Sequence, residues 1–124
     1  NKNQPVKIHA KLDNQGNVEY VGQRHWLHAR NAANATLFLF KHGQPGSHYN
    51  VVGDVELYND DMVKRLGLLM NKEPRLEYVD LEKSRPGHDR RYSLDGSKLR
   101  DMGWQQPISF DDSLKKTIAW MLSE

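Results

Sequence analysis

The stretch Arg85-Pro86-Gly87-His88-Asp89-Arg90-Arg91-Tyr92 gathers four side chains able to carry positive charge. Such a composition packs poorly and grips phosphate well. Arg85 can present two parallel N–H donors to an oxyanion, and His88 can add a donor whose strength depends on pH near neutrality. Pro86 fixes one backbone angle and Gly87 frees the next, so the loop can turn while presenting these groups. The alternative for the same residues is a solvated basic loop between two elements.

Two further residues suit an anion or nucleotide contact. Arg24 lies ahead of a helical pattern, and Asn50 stands within a run of strand formers. In α/β sheets ligands gather beyond the carboxyl ends of the parallel strands, and Asn50 and Arg85 both read as lying at or just after such ends. Arg24, Asn50, Arg85 and His88 are therefore the expected binding residues.

Catalytic machinery is not found in the sequence. No Gly-rich dinucleotide fingerprint follows a strand, no Tyr is followed four residues later by Lys, and no Ser sits in a nucleophile elbow. His25 with His28, and His42 with His48, lack a third ligand nearby, so no metal site is expected. Asp60 and Asp61 read as acids in the first turn of a helix. Trp104 and Trp120 read as core or interface residues.

The elements that must position these groups follow from periodicity and punctuation. Residues Val6 to Ala10 alternate as a short half-buried strand, Asp13 to Asn17 make a turn, and Val18 to Val21 return, giving an opening hairpin. Gly22 to His28 leads into a helix from about Ala29 to Lys41, with Ala32, Ala33, Leu37 and Phe40 near its apolar face and Gly43 and Pro45-Gly46 as its stop. His48 to Gly53 reads as an inner parallel strand.

Asn59 is the expected cap of a second helix whose apolar positions are Met62, Val63, Leu66, Leu69 and Met70. Leu76 to Val79 is a third strand, followed by the basic loop. Asp95 caps a short helix ending at Gly103. Ser109, with Asp112 three residues on, opens a last helix expected to bury Leu114, Ile118, Met121 and Leu122. The order predicts an α/β chain with a small mixed or partly parallel sheet, about four helices and a right-handed βαβ crossover from Val52 to Leu76.

The 124 residues are expected to form a single unit with a modest core. A hydrophobic fraction of 37% with a net charge of only +2 argues against a disordered chain and against nonspecific nucleic-acid binding. The chain holds no cysteine, which excludes disulfides and thiolate metal sites and is compatible with a reducing cytoplasm. No apolar run approaches a membrane span. The first residue is Asn rather than Met, as expected of a processed chain or of a piece of a longer protein.

Several segments in this order resemble a known family. Arg24-His25-Trp26-Leu27 before an Ala-rich helix, Tyr49-Asn50-Val51-Val52-Gly53, the segment Arg85 to Tyr92, Leu99 with Gly103-Trp104, and Thr117-Ile118-Ala119-Trp120 together resemble the C-terminal part of the extended short-chain dehydrogenase/reductases. Within that NAD-dependent epimerase/dehydratase family the chain is most similar to the nucleotide-sugar dehydratases. The resemblance implies that residues 1–124 are a substrate-binding portion without the N-terminal Rossmann domain. In the family that domain binds NAD and carries the catalytic Tyr and Lys.

By the same resemblance Arg24 is a diphosphate contact, and Asn50, Arg85 and His88 hold the nucleotide-sugar. The piece itself is then expected to bind no NAD and to be catalytically silent. His25 departs from the family's usual Asp, and Lys7 and His9 stand where a Pro and a Tyr often line the base pocket. Two other readings are a stand-alone nucleotide- or phosphate-binding module and an assembly domain without catalysis. An open sheet edge can also pair with a second copy of the chain.

Overall fold

The computed structural model describes residues 4–124. In chain order the elements are β1 (Val6–Leu12), β2 (Val18–Val21), β3 (Gln23–Trp26), α1 (Ala29–His42), β4 (Val55–Tyr58), α2 (Asn59–Leu69), β5 (Leu76–Asp80), α3 (Leu81–Ser84), β6 (Arg91–Tyr92), α4 (Ser97–Asp101) and α5 (Phe110–Ser123). The chain is mixed α/β, with two three-stranded sheets ordered β2-β1-β5 and β4-β3-β6. It divides into two compact units, one holding the chain up to Arg24 with Leu57–Tyr92, the other His25–Glu56 with Ser93–Glu124.

In the first unit β1 pairs antiparallel with β2 and parallel with β5. The hairpin forms because Asp13 accepts from the backbone N–H groups of Gln15 and Asn17, each at 2.8 Å. Those bonds, that from Asn17 first, hold the Asp13 carboxyl below its ordinary value. Ile8, Ala10 and Val21 are buried together, and Leu12, Val63, Leu76 and Tyr78 pack against them. Alternation along β1 thus sends its apolar side inward beneath α2.

In the second unit Ala35, Leu99 and Trp104 form the core, with Phe38, Leu39, Tyr49 and Val51 around them. Asn31 is 1% exposed and ties α1 to the segment before α5. Its amide donates to Gln106 Oε1 at 3.2 Å and to the Ile108 carbonyl at 2.9 Å, and its oxygen accepts from the Ile108 N–H at 3.1 Å. Ser109 caps α5 by accepting from the Asp112 N–H at 3.2 Å, as the sequence predicts.

Several expectations are corrected. Gln23 to Trp26 is a strand rather than a lead-in, and one-turn α3 joins the four expected helices, giving five among the described residues. Residues His48 to Gly53 form no strand; the strand comes later, as β4, where Val, Glu, Leu and Tyr pair with β3. The crossover is not a βαβ unit, because β4 and β5 belong to different sheets.

Asn59 does not cap α2. Tyr58 occupies the cap position, and the Asn59 N–H instead donates to the Gly22 carbonyl at 2.8 Å. The buried face of α1 centres on Asn31 and Ala35, leaving Leu37 and Phe40 exposed; Met121 and Leu122 of α5 are exposed as well. Apolar residues spread around these helices, so spacing alone gave no single inward face.

Candidate functional site

The first unit brings Arg24 and His88 together. Arg24 sits on β3 and Tyr92 on β6, and the parallel register sets these two residues side by side. The Arg24 guanidinium carbon lies 4.4 Å from the centre of the Tyr92 ring. Its Nη2 is 3.4 Å from His88 Nε2, and His88 Nδ1 is 3.5 Å from the Tyr92 hydroxyl, both long contacts. An arginine nitrogen can only donate, so Nε2 accepts and Nδ1 carries the ring proton toward Tyr92. His88 and Tyr92 also meet as tilted rings, 5.5 Å between centres. The triad fixes the guanidinium in place and leaves most of its N–H donors for an anion.

Arg85 follows α3 directly. Its backbone N–H donates to the Leu81 carbonyl at 2.6 Å and its carbonyl accepts from the His88 N–H at 3.3 Å, while the side chain is exposed. Gly87 makes the turn between them at φ +72°, a conformation that side chains other than glycine rarely adopt. Farther on, the Arg90 guanidinium stacks 4.2 Å from the centre of the Tyr20 ring. The basic loop is therefore tied down at His88 and Arg90.

Asn50 belongs to the second unit. Its amide donates to the Asp95 carbonyl at 3.1 Å, and it lines a pocket of about 220 Å³ together with Asp54, Arg100, Trp104 and Gln105. In the same unit His25 Nδ1 is 3.0 Å from the Gly53 carbonyl, and Nε2 faces Glu56 at 3.3 Å and Ser93 at 3.4 Å. His25 is thereby committed to internal contacts on both ring nitrogens.

Sequence reasoning missed the part played by Tyr92 and Tyr20. Each is an ordinary strand residue until strand pairing lays an arginine across it, and only the four-residue spacing from His88 to Tyr92 hinted at this. Among the described residues no group of three or more His, Asp or Glu gathers as a metal site. Gly96 is the one of their glycines at the N-cap of a helix that follows a strand, α4 after β6, and it stands without the further glycines of a dinucleotide fingerprint. No helix among them is long and apolar enough to cross a membrane.

No protein-family model matches the chain. A probable dTDP-glucose 4,6-dehydratase of Sinorhizobium fredii is 38% identical over 105 residues, which cover 80% of this chain and 30% of that protein. A dTDP-glucose 4,6-dehydratase of Streptomyces venezuelae, solved with NAD and TYD bound, superposes with a TM-score of 0.76 and 26% identity over 97% of this chain and 34% of that one. Over this stretch the chain is a relative of the dTDP-glucose 4,6-dehydratases. It spans about a third of the length of the curated relatives it matches. A UDP-glucose 4-epimerase of Thermus thermophilus, solved with NAD, shares the fold at a TM-score of 0.70 and 20% identity, covering 95% of this chain and 35% of that one.

Proposed function

We propose that the chain is the nucleotide-sugar-binding portion of an NAD-dependent sugar-nucleotide 4,6-dehydratase or epimerase. The observation that carries this reading is the match to dehydratases over 80% of the chain and only 30% of their length. Arg24, Arg85 and His88 hold the diphosphate and Asn50 contacts the nucleotide-sugar. Their contribution is orientation of the sugar rather than bond making.

In this reading the catalytic Tyr and Lys and the NAD-binding Rossmann half belong to the portion of the relatives that the chain does not span. NAD bound there would supply the hydride chemistry at the sugar, and the residues of this chain would only orient the nucleotide-sugar toward it. The 124 residues alone perform none of this. The segment at Tyr49 to Gly53 supports the arrangement: its residues favour strand, yet it joins neither sheet of the described residues. A strand supplied by the Rossmann half would complete it.

The test is Arg85→Ala in the full-length enzyme. Loss of a charged contact to the diphosphate raises KM roughly tenfold or more with little change in kcat. Unchanged KM would remove Arg85 from the site.

A second reading is a phosphate-binding module that works without a Rossmann partner. It is favoured by the ties of His88, Arg90 and Tyr92 to Arg24 and Tyr20, which lie within one unit. It predicts equal affinity for a nucleoside diphosphate with and without the sugar.

A further inference from the structure

The basic loop has one more tie, at its entry. His9 Nδ1 lies 2.7 Å from the Ser84 hydroxyl, the residue just before Arg85. That hydroxyl is also 2.8 Å from the Asp80 carbonyl, which can only accept. Ser84 therefore donates to Asp80 and accepts from His9, and His9 Nδ1 bears a proton.

The element so held is α3, a helix of four residues. A single turn gains too little from its own hydrogen bonds to fix its orientation. Leu81, 4% exposed, anchors one side of it, and Asp80 caps its start by accepting from the Glu82 N–H at 3.2 Å. The far end, from which Arg85 projects, is tied to a strand through His9. His9 sits on β1 opposite Val79 of β5, in the paired core of the first unit.

We propose that His9 is a positioning residue: through Ser84 it sets the angle of the α3 turn and so aims Arg85 at the diphosphate of a nucleotide ligand. The inference rests on the binding reading under Proposed function. The effect of His9 passes through one hydrogen bond to a serine and one peptide link to the arginine.

The test is titration of the 124-residue chain with thymidine diphosphate and with inorganic pyrophosphate, followed by backbone amide shifts. The variants are His9→Asn, His9→Gln, Ser84→Ala and Arg85→Ala. Asparagine places its amide nitrogen where Nδ1 was, whereas glutamine reaches only toward Nε2. We expect His9→Gln and Ser84→Ala to weaken both ligands roughly three- to tenfold, the worth of one hydrogen bond, while His9→Asn retains the affinity. Ser84→Ala removes the acceptor and leaves the imidazole, so it carries the test if His9→Gln does not fold. Full affinity in His9→Gln or Ser84→Ala, with loss in Arg85→Ala, overturns the role of His9 and spares the binding reading. Binding that Arg85→Ala leaves unchanged, or no binding to the unsubstituted chain, overturns both.

Discussion

Arg24 lies across the ring of Tyr92, 4.4 Å from its centre, because β3 and β6 run parallel with these two residues in register. A two-residue strand thus decides where a guanidinium points. The pair also holds His88, whose ring bridges Arg24 and the Tyr92 hydroxyl.

A double-mutant cycle on Arg24→Ala and Tyr92→Leu measures that pairing. The expected coupling is about 0.5–1 kcal/mol in urea unfolding, the range of a partly exposed cation–π contact. Tyr92→Phe should keep most of the coupling, since it retains the ring. Strict additivity of the two substitutions would show that the stack contributes nothing.

Gly53 packs against the backbone of Trp26, so closely that a Cβ there would overlap the Trp26 carbonyl oxygen. Backbone must move to admit any side chain. Gly53→Ala is expected to lower stability by about 3 kcal/mol or more, seen as a reduced urea midpoint. It should also release His25, whose Nδ1 rests on the Gly53 carbonyl. Gly46→Ala is the control: its Cβ would meet no atom within 4 Å, but φ +79° adds strain, so a smaller loss is expected.

Asn31 is the buried polar joint of the second unit, with three hydrogen bonds to Gln106 and Ile108. Replacing it by Leu leaves the Ile108 N–H and carbonyl without their partner. The expected cost is about 2–4 kcal/mol in thermal or urea unfolding, and more than that of Asn34→Leu, whose residue is exposed and gives up a single bond to Trp104. Equal costs for the two would contradict the reading of Asn31 as a joint.

Where local chemistry decides structure, the sequence was readable. Asp13 makes its turn, Ser109 caps its helix, and Val6 to Ala10 alternates into the core. Where a distant pairing decides, it was not. Gln23 to Trp26 shows no alternation and all four residues are half-buried, so the strand is marked by its pairing with β4 and β6. Val51 and Tyr49 have strand character but are used as side-chain packing against Ala35, Leu99 and Trp104.

The candidate site was legible in the same proportion. Arg24, Arg85 and His88 stood out by charge, spacing and family resemblance, and the structure brings Arg24 and His88 within 3.4 Å of each other. Tyr92, Tyr20 and the link from His9 to Ser84 depend on which strands meet, which no spacing along the chain reports.

The most direct test of the account is a titration of thymidine diphosphate into the 124-residue chain and into its Arg85→Ala variant, watched at the backbone amides of Arg24, His88 and Tyr92. The account predicts saturable shifts centred on those residues and the loop from Arg85 to Tyr92, with affinity lowered roughly tenfold or more by the substitution. Shifts centred elsewhere, or an affinity that Arg85→Ala leaves untouched, would contradict it.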